Sequence, residues 1–139
     1  MTTTTPDTGF RLLGDHAALD LINTVEQSDG GPLDRWQSDD DVRAWLEASG
    51  LAPAHRKAPK GLLESARTLR ETVRMMVAQR KAGLPLKLTA LNRALAAGGS
   101  HLEIVVEAGA PELARRYAAA TPDQWLLPAA EAAADLLVH

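Results

Sequence analysis

His16, Asp20 and Asn23 stand at spacing i, i+4, i+7, with Gln27 one turn further on. On a helix of 3.6 residues per turn that spacing stacks their polar groups in one stripe, while Ala18, Leu21, Ile22 and Val25 fall on the opposite side. An imidazole and a carboxylate one turn apart have two chemical uses. They can share a metal ion, or they can act as a base and its orienting acid. The metal use requires a third protein ligand, and Asn23 is a poor one for zinc, so no metal is expected. The catalytic use requires a nucleophile. No serine occupies a nucleophile elbow, no carboxylate pair has glycosidase logic, and the chain has no cysteine. An enzyme is therefore not the expected class, and no cofactor is assigned. Recognition of a small polar ligand remains, as does a merely solvated helix face.

A second constellation is basic. Arg67, Arg70 and Arg74 recur along one flank of a long apolar-periodic segment. At about 100° per residue, Arg70 falls about 20° from Val77, at the edge of the apolar stripe. It is the arginine best placed to reach between packed elements. Buried there, it needs a carboxylate or a ligand anion. Asp20 is the expected partner, directly or through a bound polar ligand. Glu71 offers a neighbouring partner if the flank is solvated instead. Trp36, after the glycine loop, is either the apolar wall of a pocket or a plug that packs the loop onto the core. Gly30-Gly31 and Gly98-Gly99 lack the further glycines and the lysine of a phosphate-binding loop.

The 139 residues suit one domain, and the 45% apolar content suits an ordinary core. Only five residues are aromatic, so alanine, leucine and valine carry most of the packing, a composition that favours helices. The net charge of -3 conceals an asymmetry: -7 over residues 1–54, +8 over 55–93 and -4 over 94–139. A basic middle between acidic ends can be an anion patch or two faces that meet within one fold. The acidic balance and the lack of a stacking aromatic in the basic part disfavour nucleic acid. The N-terminus carries no basic and apolar leader, and no apolar run reaches the roughly 18 residues of a membrane span. A cytoplasmic protein without a membrane partner is expected.

These groups need elements to position them. Residues 1–8, with five threonines and a proline, read as disordered. A helix is expected over about 16–26, then a loop at Ser28-Asp29-Gly30-Gly31-Pro32. Ser38 caps a second helix that ends at Gly50, with Asp41 in the capping-box position. The longest helix should run over about 61–82 and stop at Gly83 and Pro85. A further helix spans about 87–97. Leu102, Ile104 and Val106 alternate with polar neighbours, the strand period. Residues 112–120 are either strand or helix by composition; a lone strand needs a partner, which favours a hairpin. Thr121 and Pro122 open a last helix to about 138, with a bend expected near Pro128.

The run Gly14-Asp15-His16-Ala17-Ala18-Leu19-Asp20-Leu21-Ile22-Asn23-Thr24 resembles the ABATE domain, the N-terminal part of a bacterial family of regulators linked to stress-induced transcription. Asp34, the run Asp40 to Leu46 with Trp45, Leu69-Arg70-Glu71, Asn92 and Ala132-Ala133-Ala134-Asp135-Leu136-Leu137 extend the resemblance in order across most of the chain. It implies an α+β fold, mostly helical, in a single domain over 9–139, with one small antiparallel β-hairpin before the last helix. It also implies a pocket for a small ligand. Family members usually continue into a zinc finger with a Cys-Gly-Asn-Arg signature. Without cysteine that finger is absent here, whether the chain is a naturally short member or a piece of a longer one. DNA contact through it does not transfer.

The expectation is thus a ligand-sensing regulatory domain binding a small polar or anionic ligand through His16, Asp20, Asn23, Thr24, Trp36 and Arg70. The alternatives are a helical interaction or homodimerisation module without a ligand, and a small hydrolase or lyase using His16 and Asp20.

Overall fold

The computed structural model describes residues 17–52 and 56–138. His16, the N-terminal residues 1–8 and the rest of the motif before Ala17 lie outside them. Nine elements follow in order: α1 (Ala17–Ile22), β1 (Val25–Ser28), β2 (Gly31–Asp34), α2 (Asp39–Ala48), α3 (Leu62–Lys81), α4 (Thr89–Leu95), β3 (Ser100–Glu107), β4 (Ala110–Tyr117) and α5 (Pro122–Val138). The fold is α+β, with helices in the majority and strands only in antiparallel hairpins. No helix among the described residues is long and apolar enough to cross a membrane.

The expected hairpin before the last helix is present. β3 pairs with β4 from Ser100↔Tyr117 to Glu107↔Ala110. One expectation is corrected. The first helix does not continue to residue 26; it ends at Ile22, and a second hairpin follows, with Val25↔Asp34 and Ser28↔Gly31 at its two ends. The physical cause is local. The Thr24 hydroxyl donates to the Leu21 carbonyl at 2.8 Å, which terminates the helix. β-Branched Thr24 and Val25 then favour extended backbone. Asp29-Gly30 makes the turn and Gly31 takes φ +107°, as hairpin loops require. The Arg35 amide extends the pairing by donating to the Thr24 carbonyl at 2.8 Å.

Helices α2 and α5 start where Ser38 and Thr121 predict. Ser38 Oγ accepts from the Asp41 amide at 3.1 Å, and Asp41 Oδ2 accepts from the Gln37 amide at 2.9 Å. Asp39 does more than favour its own helix N-terminus. Its carboxylate accepts from the amides of Gly61 (3.2 Å) and Leu63 (2.7 Å), capping α3 from α2. Thr121 Oγ1 accepts from the Gln124 amide at 3.2 Å, and α5 runs unbroken through Pro128.

The core is the apolar side of α3 (Leu62, Ala66, Leu69, Val73, Met76) packed on Trp125, Ala129, Ala130, Ala133 and Leu137 of α5. Ala18 and Leu21 of α1 close one side, and Trp36, Val42, Trp45 and Leu46 another. With small alanines on α5, helices approach closely and few aromatics are needed.

Candidate functional site

Arg70 lies where the wheel placed it, at the edge of the α3 core face, and is only 6% exposed. Its carboxylate is Asp34. Arg70 Nη1 donates to Asp34 Oδ1 at 2.7 Å and Nη2 to Asp34 Oδ2 at 2.5 Å, a two-pronged pair. Nη1 also donates to Thr24 Oγ1 at 3.0 Å. The guanidinium lies over the Trp36 ring, 4.7 Å from its centroid, and Trp36 meets Trp45 edge-on at 5.6 Å. Asp20 is buried on α1, yet it is not among the partners of this guanidinium. The expected direct pair of Asp20 with Arg70 is therefore replaced by Asp34 with Arg70.

The local chain explains why Asp34 takes that role. It ends β2 and is followed by a turn that its own side chain holds, Oδ1 accepting from the Trp36 amide at 2.9 Å. That turn throws Trp36 inward, where it is fully buried. Arg67, one turn before Arg70, brings Nε to 3.3 Å from Asp34 Oδ2 and donates through Nη2 to the Trp36 carbonyl. The Asp34 carboxylate thus meets two guanidinium groups and one amide. Burial by itself would raise its pKa. The Arg70 hydrogen bond, the Trp36 amide and the charges of Arg70 and Arg67 outweigh it, and the carboxyl sits below its ordinary value.

The six expected ligand residues separate into groups. Thr24, Trp36 and Arg70 meet in this one node, deep in the protein. Asp20 is buried nearby in sequence on α1. His16 lies outside the described residues. Asn23 lies elsewhere: with Leu19, Ile22, Arg74, Val77 and Lys81 it lines a cleft of about 270 Å³ between α1 and α3. Arg74 also pairs with Glu71 beside that cleft, and the Glu71 carboxyl is held below its ordinary value by the Arg74 hydrogen bond, which outweighs burial, and by the charges of Arg74 and Arg70. The sequence reading missed Asp34 as the partner of Arg70. The signal was present, since an aspartate two residues before a tryptophan, after a glycine turn, is a side-chain-held turn.

Among the described residues, no group of three or more histidine and carboxylate side chains could hold a metal. The α-helical motif, the Asp34 turn and the α3 arginine thus occur together in one packed unit. A family model described as a putative stress-induced transcription regulator, ABATE, matches residues 15–139, nearly the whole chain. The chain belongs to the ABATE family. No curated protein and no solved structure matches it. Within this ABATE domain the family motif from Ala17 to Thr24 therefore builds α1 and delivers Thr24 to the Arg70 node.

Proposed function

We propose that this ABATE domain is a ligand-sensing regulatory module that binds a small anionic molecule in the cleft between α1 and α3. One observation carries the reading: Asn23, Arg74 and Lys81 line a common cleft whose remaining walls include Leu19, Ile22 and Val77. An amide and two cations beside apolar walls suit a carboxylate or phosphate on a short hydrocarbon body. Arg74 is exposed, so a bound anion can take over part of its pairing with Glu71. The deeper residues of the expected set, Asp20, Thr24, Trp36 and Arg70, serve as support. Asn23 adjoins Thr24, and Arg74 lies one turn past Arg70. An anion held between Asn23 and Arg74 therefore pulls on the same two segments that the Arg70–Thr24 bond joins. The proposed compartment is the cytoplasm, where a transcription regulator acts.

The test is thermal unfolding of the 139-residue chain with inorganic phosphate, citrate or benzoate. At least one of these should raise the midpoint in a saturable way, and the Arg74→Ala/Lys81→Ala double variant should lose the rise. No saturable rise with any of the three, or an equal rise in the variant, refutes the reading. The competing interaction-module reading is favoured by a different observation, the exposed apolar face of the β3–β4 hairpin.

A further inference from the structure

The β3–β4 hairpin has two unlike faces. Directly paired residues of antiparallel strands share a face. On one face, Leu102, Ile104 and Val106 therefore stand with Arg115, Leu113 and Pro111. On the other stand His101, Glu103 and Val105 with Arg116, Ala114 and Glu112, and there Glu103 Oε1 meets Arg116 Nε at 3.5 Å. That face is mixed, with Val105 and Ala114 half-buried among the charged residues, while the apolar face is bare: Leu102 is 55% exposed, Ile104 73%, Val106 68% and Leu113 68%. The body meets the hairpin chiefly through α5 and β4. There Tyr117 donates to Glu131 at 2.5 Å and the Ala118 amide to the Gly99 carbonyl at 2.6 Å. Beyond that base the strands project. A two-stranded hairpin on its own is marginal in water and gains stability when a face is covered.

We propose that this face packs against the same face of a second copy of the chain, making a two-fold dimer through the hairpins. Four large apolar side chains form a patch of a few hundred Å², the size that marks an interaction site on a monomer. Two such patches face to face, about 10 Å apart and with their rims included, bury on the order of 1,000 Å², the lower bound of a specific interface. The face is also self-complementary. In a two-fold contact, a residue that meets a second residue on the partner copy has that meeting repeated in reverse, and only residues at the axis meet their own counterparts. With Ile104 and Leu113 at the axis, the tip at Val106 and Pro111 meets the base at Leu102 of the other copy. The single charged residue of the face, Arg115, falls at opposite ends, so no like charges meet. One cation on an otherwise apolar face does not fit a nucleic acid.

Sedimentation of the 139-residue chain from about 1 µM to about 1 mM tests this. A monomer–dimer equilibrium with Kd between about 1 and 100 µM is expected. Ile104→Glu should weaken it by about 100-fold with the helical circular dichroism unchanged, because two like charges meet at the axis. Mixing Ile104→Glu chains with Ile104→Lys chains should restore the dimer as a heterodimer. A second measurement covers a variant that fails to fold. In this cysteine-free chain, Ile104→Cys should cross-link to itself with a short bis-maleimide that spans the gap a direct disulfide cannot, and Leu84→Cys, exposed on the α3–α4 connection, should not. A chain that stays monomeric throughout, a dimer indifferent to Ile104→Glu, or equal cross-linking at 84 and 104 overturns the proposal. So does hairpin-dependent binding to lipid vesicles by a monomer.

Discussion

Asp34→Ala strands a buried charge, and its cost can be worked from the geometry. Arg70 loses both of its ionic hydrogen bonds and keeps one bond to Thr24 and the Trp36 ring. Breaking a buried pair by removing one partner costs about 3–5 kcal/mol. The Asp34 side chain is 23% exposed, so water reaches part of the vacated space and the lower end applies, about 3 kcal/mol. For a domain of this size that lowers the unfolding midpoint by roughly 10 °C. Arg70→Ala should cost slightly less in charge, about 2–3 kcal/mol, because Asp34 keeps Arg67 beside it and is nearer to water. The Asp34→Ala/Arg70→Met double variant replaces the pair by apolar volume and should recover about half of the loss. Urea denaturation followed by far-UV circular dichroism measures all three. A cost below about 1 kcal/mol for Asp34→Ala would place Arg70 in effective contact with solvent and refute the reasoning. The pH dependence follows the same pair. The Asp34 pKa is lower folded than unfolded, so the unfolded chain binds more protons in between. The contribution is complete above the ordinary carboxyl value and is lost as pH falls through the lower folded value. Asp34→Asn should flatten that part of the acid profile.

Three further outcomes are expected. Tyr117 is the sole tyrosine, and burial first, then its bond to Glu131 and the Glu131 charge, push its pKa up to about 12. Ultraviolet titration should find it ionising there, and stability should fall between its unfolded value near 10 and about 12, since the unfolded phenol releases its proton first; ionisation near 10 in the folded chain would contradict the Glu131 contact. Gly99→Ala should cost about 2–3 kcal/mol by thermal or urea unfolding, because φ is +81° and the new Cβ would lie 2.7 Å from Ala118 Cβ and 2.8 Å from Gln124 Nε2. Alanine at Gly30, where nothing lies within 4 Å, is the mild control. Finally, the chain alone should show no salt-resistant, sequence-selective binding to duplex DNA by fluorescence anisotropy, given its net charge of -3.

Much of this architecture is written in short-range chemistry. Ser38, Thr121 and the glycines after α2 and α3 mark helix ends through local hydrogen bonds and backbone freedom, so their positions follow from spacing alone. Arg70 could be placed at the core edge because helical angle is a property of one element. What was not legible is which carboxylate reaches it. Asp20 and Asp34 are both near in sequence to the first turn of the fold, and the choice between them depends on where the first helix stops. That stop was missed because Val25 continues the apolar period of α1 for one more turn. The competing signals, β-branched Thr24-Val25 and the Asp29-Gly30 turn, weigh the other way only once the Thr24 hydroxyl is seen to bond Leu21. Asn23 separated from Thr24 for the same reason: on a longer helix they would have shared its surface, whereas the helix end turns one to the cleft and the other inward.

The grip of Arg70 on Asp34 ties together two points 36 residues apart in a chain without cysteine. Topologically it is a cross-link, closing a long loop as a disulfide would, but built from charge. It is therefore indifferent to thiols and oxidants, and acid is what undoes it. Acid reaches the pair directly, while an oxidant must act elsewhere. Within the described residues the sulfur left to receive one is Met75, half exposed on the outer side of α3, with Met76 sealed in the core beside it.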